Sequence, residues 1–362
     1  MPSFVWYLVL GIWNFCMNVI ITGSLGYDYI MDFPGRFADR IMPDNIHKLS
    51  LSFLVDKLSK QFGGVAGNIA YTLKLLEIDP TIVACAGNDF SSYKKHLIEH
   101  HISTIGIREF DDVPCSLYSV VTDQDDNQIG SYFIGAMKYA KKLSVLSSPR
   151  RRGSNFVVIS PTDPTAMVKY VQECRSLSLP YLYDPAFQIA TFTPEELKEG
   201  ITGAALFIGN DYEISLVENR LGMTHEELLT MTPVVITTLG AKGSIIETRK
   251  EAIHIKPAKP KNTSDPTGAG DAYRAGFLAG YLQVLGTRPG LEATPPPATP
   301  GTKLHHSGTR PGLEADDLLV CGQMGSVAAV YTVETYGTQT HTYTKKEFAK
   351  RYEENFSTRL TL

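Results

Sequence analysis

Four short apolar runs, at 155–160, 180–184, 204–210 and 233–239, constrain the fold of this chain most. None alternates enough to leave one face in water. Helical patterns follow them at 164–177, from Pro194 and from Tyr212. Continuous apolar strands separated by helices predict a parallel sheet covered on both faces. Ligands of such sheets collect beyond the carboxyl ends of the strands. This sequence places Asp184, Asn210 and Gly240 there. An earlier run, 18–24, reads as a first buried strand that ends in a ligand-facing turn. Two segments, 35–62 and 113–136, lack helical periodicity. The second alternates over 116–121 and 129–134 around a turn at 123–127. Both are expected to form a small projecting β-lid that closes over substrate.

The chain of 362 residues holds one large α/β domain or two smaller ones. Its net charge of −4 and scattered basic residues give no nucleic-acid surface. The one basic cluster, Arg150 to Arg152, reads as a solvated loop. Five cysteines with no CxxC spacing argue against a zinc site or a disulfide framework, and for a reducing cytoplasm. Residues 4–15 are apolar but too short to span a bilayer comfortably. They also lack the basic flank and cleavage site of a signal peptide. Residues 1–16 are therefore expected to lie outside the fold, with Met17 as the functional start; a membrane anchor is the lesser alternative. The octapeptide GTRPGLEA at 286–293 recurs at 308–315 around a proline-rich segment. That composition packs no core, so 286–316 is expected to be a disordered insertion between two helices.

Chemistry concentrates at Asp265-Pro-Thr-Gly-Ala-Gly-Asp271, which opens the apolar run 272–285. Backbone amides at a helix start are unpaired and carry partial positive charge, so they can hold a phosphate. Asp271 beside that phosphate is best used as the base that deprotonates an attacking hydroxyl. The plain alternative is a glycine-rich turn with an acidic helix start. Phe62-Gly-Gly-Val-Ala-Gly-Asn68 permits close backbone approach to a ligand, and Asn68 both donates and accepts hydrogen bonds. It also reads as a loop with a helix cap. Asp28, just past the first strand, can grip two vicinal hydroxyls or simply close a turn. Asn210 and Glu213 can order waters around Mg²⁺, or form a capping box. In 237–243, glycines and Lys242 can admit a nucleotide or make an ordinary turn. No GxxxxGK[ST] loop, protein-kinase signature or GxSxG elbow is present.

Taken together and in this order, the glycine/asparagine motif, the N-x-x-E set and D-x-T-G-A-G-D resemble the ribokinase-like, phosphofructokinase-B type kinases. The resemblance runs from about Met17 to Phe356. Residues 33–37, 47–54, 135–137 and 337–339 are most similar to the bacterial adenosine kinase branch. It implies a three-layer α/β sandwich with a mostly parallel central sheet. Core segments would be 17–32, 63–112 and 137–362, and the β-lid 33–62 and 113–136. It implies ATP-dependent phosphorylation of a nucleoside 5′-hydroxyl, adenosine foremost, in purine salvage; the alternatives are a sugar such as ribose, or another nucleoside. Asp271 would be the base, with Gly268, Ala269 and Gly270 as the anion hole. Asp28, Gly64 and Asn68 would bind ribose hydroxyls, with Ser24 and Ser52 nearby. Tyr132 and Gln188 would lie near the nucleobase, and Tyr118 near a homodimer interface through the lid. Asn210 and Glu213 would organise Mg²⁺ water. Thr238, Gly240 and Gly243, with Asn210, would line the ATP site. Asp265 and Glu334 would flank a monovalent cation. Phe187 and Thr191 depart from the polar residues usual in that branch and leave the purine preference open.

Overall fold

A computed structural model describes residues 18–42, 50–125, 127–147, 155–287 and 313–362. The expectations for 1–16, for 43–49 and for most of the 286–316 insertion lie outside them.

The buried pentapeptide β1 (Asn18–Thr22) runs parallel to β4 (Pro80–Ala86) on one side and to β8 (Asn155–Ile159) on the other. From β4 the sheet continues to β5 (Ile107–Glu109). From β8 it continues in parallel through β9 (Tyr181–Tyr183), β10 (Leu206–Asn210) and β11 (Val235–Thr238). It ends in the antiparallel strands β12 (Ser244–Glu247) and β13 (Ala252–Ile255). Nine strands, mostly parallel, thus form the central layer predicted from the apolar runs.

Alternate residues of each strand enter different cores. Val19, Ile21, Phe156 and Val158 pack with α1 (Val65–Leu75), α7 (Ala269–Thr287) and α8 (Ala315–Val333). Ile20, Val157 and Ile159 pack with α3 (Pro164–Ser176), α4 (Pro194–Ile201) and α5 (Asp211–Leu221). Each fully buried aliphatic side chain contributes about 1.5–3 kcal/mol. Both faces of the sheet are therefore dry, which explains why these strands do not alternate in polarity. No helix among the described residues is long and apolar enough to cross a membrane.

The second sheet has the order β3, β2, β6, β7, with β2 (Gly26–Asp32), β3 (Lys57–Gly63), β6 (Ser116–Thr122) and β7 (Gln128–Phe133). Here the structure differs from the boundaries read in the sequence. Residues 26–32 were expected in the core, but β2 is an inner strand of the lid, antiparallel to β3 and parallel to β6. The chain leaves the large sheet at Gly23, where Ser24 N–H donates to Pro161 O at 2.9 Å. Among the described residues of 35–62, only the end from Lys57 is strand. The segment also holds a short turn of helix at Phe37–Asp39, and the rings of Phe37 and Phe53 cluster with Phe33 just before it.

Candidate active site

Lid register places four side chains in one row: Gln61 on β3, Asp28 on β2, Tyr118 on β6 and Tyr132 on β7. Directly paired strand positions share a face of the sheet, so Asp28, Tyr118 and Tyr132 present together. The Asp28 carboxylate lies against Gly63. A Cβ there would come within 2.1 Å of its Oδ2, so residue 63 must be glycine for this carboxylate to sit where it does. Tyr132 lies near the hydroxyls of Ser24 and Ser116, and its own hydroxyl is 3.6 Å from Met137 Sδ. Ser24 also accepts from Val65 N–H at 3.0 Å, which ties the end of β1 to the start of α1. Ser52 stands on the exposed approach to β3.

On the core side, Gly268 at φ 79° turns the chain into α7. Ala269 N–H donates to Pro266 O at 3.2 Å, and Ala272 N–H to Gly268 O at 3.0 Å. The Ala269 amide is thus engaged, leaving Gly268 and Gly270 as the better members of the expected anion hole. Asp265 N-terminal to the turn accepts from Thr267 N–H at 2.9 Å and Gly337 N–H at 3.1 Å. Its carboxylate holds the turn in shape. Glu334 likewise pairs with Arg351 and accepts from Lys261 N–H.

Asp271 lies on the first turn of α7 with its side chain half-buried. Its Oδ2 accepts from Asn68 Nδ2 at 2.8 Å. Asn68 is on the first turn of α1, so two helix starts from opposite ends of the chain meet here. Burial pushes the Asp271 carboxyl up to about 6, against the opposing pull of Arg274 and Asn68, with Asp184 adding to the rise. Asp28 is pushed up to about 7 by burial and then by the like charges of Asp271 and Asp265. The two carboxylates therefore lie close enough to act on each other electrostatically.

Arg274 was not singled out from the sequence. Its Nη2 donates to Asp184 Oδ1 at 2.9 Å, and its Nε lies 2.5 Å from Asp184 Oδ2. The signal was present: Arg274 is the only charged residue in 272–285. A lone cation in an apolar helix needs a buried counter-charge, and Asp184 at the carboxyl end of β9 supplies it.

Farther along the large sheet, Asn210 and Thr238 are register partners at the ends of β10 and β11. Asn210 Oδ1 accepts from Glu213 N–H and Glu213 Oε2 accepts from Asn210 N–H, both at 2.8 Å. The capping box is thus formed. The second carboxylate oxygen of Glu213 remains for other work, and Arg274 and Asp184 act on that carboxylate electrostatically. Gly240 opens onto free space in the turn after β11, whereas Gly243 abuts Ile255 O. No group of three or more His, Cys, Asp or Glu among the described residues could hold a metal ion by itself.

Gln188 does not stand as expected. Its Nε2 donates to Thr162 O at 2.7 Å and its Oε1 accepts from Thr191 at 3.1 Å, so the amide is engaged within the core. The neighbouring Phe187 is 53% exposed and meets Tyr132 of the lid, ring centroids 5.6 Å apart. The ring facing Tyr132 is therefore Phe187.

A profile of the pfkB family carbohydrate kinases matches residues 34–345. A nucleoside kinase of Methanocaldococcus jannaschii is 29% identical over 308 residues, 84% of this chain and 89% of the relative. A nucleoside kinase of Methanothermobacter thermautotrophicus is 27% identical over 92% of this chain and 95% of its own. The solved nucleoside kinase of Burkholderia thailandensis in complex with inosine superposes with a TM-score of 0.79 at 27% identity, covering 94% of this chain and 99% of that one.

Proposed function

This chain belongs to the pfkB family of carbohydrate kinases, and on that premise we propose that it transfers the γ-phosphoryl group of ATP to the 5′-hydroxyl of a nucleoside. The observation that carries this reading is the Asp271 carboxylate, held by Asn68 at the tip of α7 and within electrostatic reach of Asp28. Asp28, with Asn68 and the backbone at Gly64, would bind the vicinal ribose hydroxyls. A carboxyl that titrates near neutrality accepts from one hydroxyl and, when protonated, donates to the other.

Asp271 Oδ1 would take the proton of the 5′-hydroxyl as that oxygen attacks the γ-phosphorus. The new O–P bond forms while the bond to the β–γ bridging oxygen breaks, and ADP leaves with that electron pair. The amides of Gly268 and Gly270 and the α7 dipole hold charge on the transferring group. Thr238, Gly240 and Gly243 would line the ATP site beside Asn210. Mg²⁺ bound with ATP supplies neutralisation of the phosphate charge. The oxygen donors present fit it through water only: the free Glu213 oxygen would hold an ion-bound water, with Asn210 fixing that carboxylate. Lid closure, bringing Tyr118 and Tyr132 over the nucleoside, would exclude water.

For the acceptor, we favour a purine nucleoside, adenosine first, through the adenosine-kinase-like segments and the Phe187–Tyr132 pair, which suits a flat base. A relative solved with inosine makes inosine the next acceptor to assay. The six exposed residues of edge strand β7 suit a second copy of the chain, which would pair lid to lid. The test is a panel of adenosine, inosine, guanosine, cytidine and ribose with ATP and Mg²⁺, read as phosphorylated product. Nucleoside monophosphate formed faster than ribose phosphate supports the proposal. Turnover of ribose alone replaces it with a sugar kinase, and no turnover refutes it.

A further inference from the structure

We infer that Gln339 is a positioning residue: it selects the one amide orientation through which Asn68 can grip Asp271. The inference rests on the phosphoryl-transfer reading and adds a residue to it.

The argument follows donors and acceptors link by link. Tyr93 donates its hydroxyl proton to Gly63 O at 2.8 Å. Its oxygen, 2.6 Å from Gln339 Nε2, can then only accept there. The second proton of Gln339 Nε2 goes to Asn68 Oδ1 at 2.9 Å. Gln339 Oε1 lies 3.1 Å from His96 Nε2. Burial, and then the neighbouring His100, push the His96 pKa down to about 4, so its ring is neutral at ordinary pH. Its single ring proton sits on Nε2 and donates to Gln339. Gln339 is thereby fixed at both ends of its amide. Asn68 inherits that order: its oxygen is taken by Gln339, so its Nδ2 must face Asp271 Oδ2.

A flipped Asn68 would set oxygen against carboxylate and NH₂ against NH₂, in a site with little water to relieve either. With Oδ2 filled by Asn68, Oδ1 is the oxygen left for an acceptor hydroxyl. The loop that carries Gln339 is itself anchored to the turn before α7 and to the end of β3. Gly337 N–H donates to Asp265, and Thr338 donates to Phe62 O at 2.6 Å. Gln339 is 4% exposed, so no bulk water competes for its amide.

The charged groups acting on Asp271 are Arg274 on its own helix, Asp184 after β9 and Asp28 on β2. None of them is changed by Gln339→Met, which adds no charge of its own, so a shift in Asp271 titration in that variant reports the relay, whereas Gln339→Glu also adds a like charge. The experiment compares wild type, Gln339→Met and Gln339→Glu. In Gln339→Met the donor to Asn68 is lost. In Gln339→Glu an acceptor replaces the donor, and Asn68 is driven to turn over. Expected are a kcat reduced about 10- to 100-fold, by analogy with outer partners that orient metal ligands. The KM for ATP should be unchanged, and the acid limb of kcat/KM should move to higher pH. Because Gln339 acts through Asn68, adding Gln339→Met to Asn68→Ala should cost nothing further; losses that multiply overturn the inference. Should Gln339→Glu fail to fold, His96→Phe removes the outer link and should give a smaller shift of the same sign; no shift counts against the relay. If the wild type phosphorylates nothing in the panel, the functional reading fails separately. The Asp271 carboxyl can then be titrated directly by carbon-13 NMR. A midpoint that is the same in wild type and Gln339→Met refutes the relay.

Discussion

Arg274 and Asp184 form a two-point ion pair between the first turns of α7 and the carboxyl end of β9, with the Asp184 side chain 1% exposed. Removing one member strands a buried charge, which typically costs about 3–5 kcal/mol. Arg274→Gln is therefore expected to lower the melting temperature sharply. Asp184→Asn combined with Arg274→Gln should recover most of that loss, because no charge is left alone. Thermal denaturation of the three proteins checks it, and a double variant as unstable as the single would contradict the pairing argument.

Activity should fall on the acid side as Asp271 protonates near pH 6. Arg274 opposes that protonation, so Arg274→Gln is expected to move the acid limb of kcat/KM upward. Asp271→Asn should lose about 10²–10⁴ in rate at every pH, because no carboxylate remains to take the proton. Initial rates between pH 5 and 9 measure both. An Asp271→Asn protein that turns over near the wild-type rate would remove the base from the proposed reaction.

Asp28 predicts a conflict between stability and function. Its folded pKa, about 7, lies above the ordinary carboxylate value. A group raised in this way favours folding below its unfolded pKa, and that contribution is lost as pH rises through about 7. Asp28→Asn should thus melt higher than wild type at pH 8, and the difference should vanish near pH 4. The same variant should bind nucleoside poorly, seen as a raised KM. Melting curves at the two pH values, together with the KM, form the measurement.

Phe187 is the expected discriminator of flat acceptors. Phe187→Ala removes the ring that meets Tyr132. It should raise the KM for adenosine or inosine while leaving ribose turnover little changed. An equal effect on both acceptors would place the ring outside the base pocket.

Much of the fold could be read from the chain because its strands are locally coded. β8 and β10 are continuous apolar runs, and α3 and α4 carry Pro at their first turns after capping Asp163 and Thr193. The 265–271 turn was legible for the same reason, since all its pieces are adjacent. Less visible were arrangements set by register and long-range pairing. Pairing strands is what brings Asp28, Tyr118 and Tyr132 into one row, and only β2 joining the lid produces it. Gln339 meets Asn68 across 271 positions, and Arg274 meets Asp184 across 90. Gln188 was expected at the base, but a buried carbonyl, Thr162 O, competes for its amide. The N-x-x-E set forms the capping box, which uses one Glu213 oxygen and leaves the other outside that pairing.

The path of the chain between the two sheets also limits how this protein can be rebuilt. From Asn18 to Asp32, a single uninterrupted stretch supplies an interior strand first to one sheet and then to the other. The polypeptide crosses between them again after β3, before β6 and after β7. A lid grafted from a relative would need four splices, one of them beside Ser24, so acceptor preference cannot be exchanged as a cassette. It has to be altered residue by residue within the existing frame.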